Sequence, residues 1–162
     1  MEAGLADDAA TSLSDLEGAR LGINRHFDAG CLTLLYQDPD VSSLQVNTNA
    51  HERDGAPNWI DVSPVPGAFT VNVGDMLQVL SNSKYKAPEH RVLASKPNTV
   101  RYSAPFFYNP SYDAQIKPQT AAPGTKPNYS PFSYGYWRRR RFEGDFADEG
   151  KPEIQIADYE LP

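Results

Sequence analysis

The stretch His26-Phe27-Asp28-Ala29-Gly30-Cys31-Leu32-Thr33-Leu34-Leu35-Tyr36-Gln37-Asp38 carries two signals end to end. Its second half, Leu32 to Tyr36, is a run of apolar and β-forming residues. Gly30 bounds it on one side and Asp38-Pro39-Asp40 on the other, so it reads as a short strand. Its first half is an H-x-D triplet at the edge of a strand. In extended backbone, residues i and i+2 point to the same side. His26 and Asp28 therefore offer one imidazole nitrogen and one carboxylate oxygen to the same point. Taken by itself the triplet is a weak signal, since a lone histidine on a strand is more often satisfied within the core.

Outward from this stretch the pattern stays β from Leu21 to about Tyr108. Leu44-Gln45-Val46, Asn58 to Val62, Ala68 to Val73, His90 to Ala94 and Val100 to Phe107 are short runs separated by Gly, Pro, Asn and Asp turns. Many short strands with such punctuation predict a sandwich or jelly roll. Asp75 to Ser81 begins after Gly74 and is rich in helix formers, so a helical turn is placed there. Residues 109–131 hold five prolines, at 110, 118, 123, 127 and 131. They exclude a central strand or a long helix and predict a segment that wraps the surface or stays loose. Residues 1–20 form an acidic end, with a short helix conceivable from Ser14. Residues 111–162 form a Pro-rich and charged extension.

The 162 residues carry 15 Lys+Arg against 21 Asp+Glu, a formal charge of −6, which argues against a general nucleic-acid binder. The run Arg138-Arg139-Arg140-Arg141 is expected to be solvated or paired within the chain, given the acids that follow it. No apolar run approaches the length of a membrane span, and the first residues lack the basic and apolar regions of a secretory signal. A single Cys31 excludes an intrachain disulfide, reads as a small buried residue, and suggests a reducing, cytoplasmic setting. His51, in a turn sequence, is expected at the surface, and Trp59 is expected to pack.

Chemistry narrows further with a third ligand. Of the three histidines, His90 opens a later strand and is the candidate. Two histidines and one carboxylate make the facial triad of non-haem Fe(II) sites, with open positions for substrate chemistry. Arg101-Tyr102-Ser103 repeats the i, i+2 spacing eleven residues beyond His90. A guanidinium fork with a neighbouring hydroxyl suits a carboxylate, the group a 2-oxo-acid co-substrate offers. In isolation Arg101 is an ordinary strand arginine.

The same residues resemble a known family. The quoted stretch, then Leu44-Gln45-Val46, Trp59 to Val62, Pro66 to Gln78, Ser81 to Lys86, His90-Arg91-Val92 and Arg101-Tyr102-Ser103 follow the order of the 2-oxoglutarate/Fe(II)-dependent dioxygenases, isopenicillin N synthase-like subgroup. The resemblance covers roughly residues 21–110. It implies a mainly β fold, the double-stranded β-helix or jelly roll. It implies Fe(II) on His26, Asp28 and His90, 2-oxoglutarate on Arg101 and Ser103, and O2 as the third partner. The implied reaction oxidises a C–H bond of a small organic substrate and releases succinate and CO2.

The chain departs from the family pattern. Only 25 residues precede His26, so the barrel is expected to be incomplete at its N-terminal strand, with an open edge for a partner chain or oligomer. Ser83 stands where the family has a turn glycine, and Ala87 where it often has serine. The alternative reading is an inactive dioxygenase-like fragment that serves as a metal-binding or interaction module.

Overall fold

The computed structural model describes residues 20–119, 124–145 and 153–162. Residues 1–19, with the helix conceived from Ser14, lie outside the described residues. In chain order the strands are β1 (Leu21–His26), β2 (Leu32–Gln37), β3 (Leu44–Asn47), β4 (Trp59–Asp61), β5 (Thr70–Val73), β6 (Glu89–Leu93), β7 (Ser103–Tyr108), β8 (Gln115–Ile116) and β9 (Phe132–Ser133). Helix α1 (Asp75–Leu80) follows β5, and α2 (Tyr134–Asp145) follows β9 directly. One sheet has the order β1-β6-β3-β4 and a second the order β5-β2-β7; every pairing is antiparallel. This is the jelly roll expected from the turn-punctuated β pattern.

Register fixes which side chains face inward. Thr33, Leu35 and Gln37 share one face of β2. Their β7 partners are Phe107, Pro105 and Ser103, and the β5 partners of Thr33 and Leu35 are Asn72 and Thr70. Thr33 and Gln37 are buried. The opposite face pairs Leu34 with Val71 and Phe106, both well exposed. Among the described residues β7 has no strand on its far side, which fits the expected open edge. The hydrogen bonds from Cys31 and Asp38 N–H to the Tyr108 and Tyr102 carbonyls turn the even-numbered β7 residues toward β2. Pro105 therefore points its missing N–H away from the sheet, the position an edge strand tolerates.

The largest apolar cluster lies beside the sandwich, around α1. Met76 and Val79 pack with Ile116, Tyr129, Phe132, Tyr134, Trp137 and Ile156. Of the two readings for residues 109–131, wrapping the surface or staying loose, the burial of Ile116 and Tyr129 goes with the first. Both side chains bury, and Gln119 N–H is tied to Leu80 O. Helix α2 was not foreseen. Arginine is a good helix former, and Tyr134, Trp137 and Arg141 bury one face at helical spacing. Gly135 is required there, since a Cβ would sit 2.5 Å from the Tyr112 carbonyl oxygen.

The turn after α1 holds Asn82 and Ser83 at φ 55° and 65°. A left-handed serine costs about 1 kcal/mol, and Ser83 Oγ is 2.7 Å from the Tyr129 hydroxyl. Such a hydrogen bond contributes about 1 kcal/mol. Ser83→Gly is therefore expected to leave the urea midpoint almost unchanged, losing the bond and the strain together. Ser83→Ala keeps the strain and loses the bond, and should cost about 1 kcal/mol.

Candidate metal centre

His26 closes β1 and pairs across the sheet with His90 of β6, which brings the two rings to 4.2 Å between centroids. Asp28 lies two residues beyond His26 in the loop that leads to β2. Its Oδ1 is 3.6 Å from Nε2 of each histidine, and the three ligand atoms lie within 4.8 Å of one another. The hydrogen bonds around them fix what each atom can do. His26 Nδ1 is 2.8 Å from Asn24 O, and His90 Nδ1 is 3.1 Å from Pro88 O. A carbonyl only accepts, so each Nδ1 carries a proton, and in the neutral ring each Nε2 then presents a lone pair.

Asp28 Oδ2 accepts from Thr33 Oγ1 at 2.5 Å and from Asn72 Nδ2 at 2.8 Å, which leaves Oδ1 facing the imidazoles. Burial pushes the His90 imidazole below its usual pKa, and His26 beside it adds to this. Two lone pairs and a carboxylate oxygen thus converge with no donor between them. Such an arrangement suits a cation. It fits the donor set of a facial triad, and the partners of Nδ1 and Oδ2 are those that orient metal ligands. Thr33→Val and Asn72→Leu are each expected to weaken divalent-metal affinity about 10-fold to 100-fold. Cobalt titration followed by absorbance measures this.

The loop carrying Asp28 is tied to α1. The first N–H groups of a helix lack partners inside it. Here Asp75 N–H reaches Asp28 O at 2.7 Å, and Met76 N–H reaches Gly30 O at 2.9 Å. Gly74 is needed for this approach, because a Cβ would run into the Gly30 carbonyl and come within 2.8 Å of Asp28 O. Arg141 closes the loop from the other side. It donates to Asp75 Oδ2 at 2.9 Å, to the Phe27 carbonyl at 3.2 Å and to Gln155, and it pairs with Glu153. Burial pushes the Asp75 carboxyl up to about 7 against the pull of Arg141.

Arg101 and Ser103 also meet. Arg101 Nη1 donates to Ser103 Oγ at 3.2 Å, and Nη2 donates to Gln37 Oε1 at 2.9 Å. Its Nε is buried without a hydrogen-bond partner among the described residues. Thr33 and Gln37 lie four residues apart on one face of β2, about 13 Å at strand rise. One strand face therefore links the triad at one end to the guanidinium at the other.

The superfamily model described as 2OG-Fe(II) oxygenase matches residues 10–110. The chain belongs to this superfamily. It is 40% identical over 142 residues to a bi-functional coumaroyl CoA and feruloyl CoA ortho-hydroxylase of Ipomoea batatas, an alignment covering 86% of this chain and 37% of that one. It is 44% identical over 116 residues to 1-aminocyclopropane-1-carboxylate oxidase 5 of Arabidopsis thaliana, covering 70% and 35%. The crystal structure of JOX2 in complex with 2OG, Fe and JA superposes with a TM-score of 0.68 at 35% identity, over 88% of this chain and 39% of the other. A rice dioxygenase for auxin oxidation gives 0.69 at 29% identity, over 88% and 46%. The chain thus spans less than half the length of these oxygenases.

Within this family frame, several supporting residues had no motif to announce them. Thr33 and Asn72 hold Asp28, Gln37 holds Arg101, and Asp75 holds Arg141. One signal was present for the strand residues. Thr70 and Asn72 put polar groups on one face of an otherwise apolar strand. Three of the four arginines of the run pair within the chain: Arg139 and Arg140 reach Glu143, and Arg141 reaches Asp75 and Glu153. His51 is exposed, with Nε2 2.7 Å from Ala87 O. Cys31 is half-buried against the apolar cluster, and burial raises its thiol pKa. Trp59 packs under the Arg91 guanidinium at 4.1 Å. No helix among the described residues is long and apolar enough to cross a membrane.

Proposed function

We propose that this chain carries the iron site of an oxygenase that oxidises a C–H bond of a small organic substrate. In this reading His26, Asp28 and His90 hold Fe(II), while Arg101 and Ser103 hold the distal carboxylate of 2-oxoglutarate. The observation that supports it most is the convergence of two imidazole nitrogens and a carboxylate oxygen within 4.8 Å of one another, with each Nδ1 turned to a backbone carbonyl. The overall reaction balances as 2-oxoglutarate, O2 and R–H giving succinate, CO2 and R–OH. One oxygen atom enters each organic product, and the C–H bond and the keto acid each give up two electrons to O2.

Bound iron supplies the activation of O2. The chain supplies position. Thr33 and Asn72 hold one oxygen of Asp28 so that the other is presented. The Asn24 and Pro88 carbonyls hold the imidazoles in the tautomer that leaves Nε2 available. Gln37 steadies Arg101, and Leu35, between Thr33 and Gln37 on the same face of β2, supplies an apolar floor. The exposed β7 edge supports a cover for the barrel there, from a partner chain or a second copy. A cytoplasmic location goes with this reading, supported by the lone Cys31.

Incubating the protein with Fe(II), ascorbate and 2-oxoglutarate labelled at the carboxyl next to the keto group tests the activity. Iron-dependent release of labelled CO2 that disappears in Asp28→Ala is the expected result. No release from a folded, metal-loaded protein would overturn the proposal.

A further inference from the structure

We propose, on the basis of that reading, that the cavity beside the triad takes an amphipathic small-molecule carboxylate as substrate, with Arg138 gripping its carboxyl group. The cavity has a volume of about 470 Å³, within the range of small-molecule sites. His26 and Asp28 line it at one side, Ile23, Phe27 and Phe107 give it apolar walls, and Arg138 projects from α2. Register places Phe107 directly beside Thr33, the residue that holds Asp28. A carbon skeleton lying on Phe107 therefore sits next to the metal ligands.

The arginine run singles out Arg138. Its three successors all have carboxylate partners: Glu143 for Arg139 and Arg140, Asp75 and Glu153 for Arg141. Arg138 has no carboxylate within ion-pair distance among the described residues. It is half-buried and hydrogen-bonded to the Tyr134 hydroxyl. The other arginines of the cavity are engaged: Arg141 as above, and Arg25 with Glu89 at 3.8 Å. One uncommitted guanidinium matches the single charge and planar fork of a carboxylate. A phosphate dianion would need a second cation, which the paired arginines do not supply. The anchor is separate from Arg101, which β7 and Gln37 hold at the other end of β2.

The test uses 3-phenylpropanoate and its neutral amide, two probes of the same shape that differ in charge. Each is titrated calorimetrically into the protein loaded with Zn(II), which does not turn over, and 2-oxoglutarate. The carboxylate is expected to bind at least about tenfold more tightly than the amide, the worth of one charge-assisted bond. Arg138→Gln should erase the difference and leave 2-oxoglutarate binding intact, while Arg139→Gln should preserve it. Equal affinities in the wild type, or a preference that survives Arg138→Gln, would overturn the anchor alone. Failure of 2-oxoglutarate to bind the wild type would overturn the parent reading and this one with it.

Discussion

Replacing His90 by alanine is expected to lower affinity for a divalent metal by roughly 100-fold or more, beyond the loss that follows removal of a supporting residue. The metal-free protein should stay about as stable as before. The reason lies in what His90 touches. Its Nε2 faces Asp28 Oδ1 at 3.6 Å, its ring centre lies 4.2 Å from that of His26, and burial pushes its pKa below the usual value. Without metal these are acceptors facing acceptors, so removing one relieves as much as it loses. His51→Ala is the contrast. That ring is bonded to the Ala87 carbonyl at 2.7 Å and lies outside the triad. It should cost stability and leave metal affinity unchanged. Cobalt titration and thermal unfolding of both variants, side by side, separate a ligand from a structural histidine.

Arg141→Leu should have the largest effect on stability. Arg141 and Asp75 are both almost fully buried and 2.9 Å apart. Removing Arg141 leaves the buried Asp75 carboxyl and the Phe27 carbonyl without their donor, and breaking a buried pair in this way costs about 3–5 kcal/mol. The loss reaches the site as well, because Arg141 holds the Phe27 carbonyl between two of the converging residues. Arg139→Leu, whose side chain is largely exposed beside Glu143, is expected to cost about 0.5 kcal/mol. Urea unfolding of the two variants measures the difference between a buried and an exposed arginine of the same run.

The strands and the triad were legible because both follow short-range rules. Alternation and turn residues mark β2, β3, β5 and β6, and i, i+2 spacing puts His26 and Asp28 on one side of an extended segment. The left-handed turn at Ser83 was legible too, since a residue standing at a turn glycine must still adopt that turn's φ. What escaped depends on contacts between distant segments. Helix α2 opens directly after a proline-rich stretch, and its buried face combines Tyr134 and Trp137 with an arginine. Four consecutive arginines look alike in sequence, and only tertiary structure gives one a buried aspartate and leaves another facing a cavity. Residues 109–131 read as wrapping the surface or staying loose because prolines deny them regular hydrogen bonding. Their burial comes from Ile116 and Tyr129 against α1, which no local pattern announces.

Anaerobic titration of the protein with Fe(II) and 2-oxoglutarate tests the central claim most directly, through the weak visible charge-transfer band of the chelate. The band should form in the wild type, vanish in Asp28→Ala and weaken in Arg101→Ala. A folded protein that forms no band, or one whose band is untouched by Asp28→Ala, would contradict the assignment of the triad as an iron site.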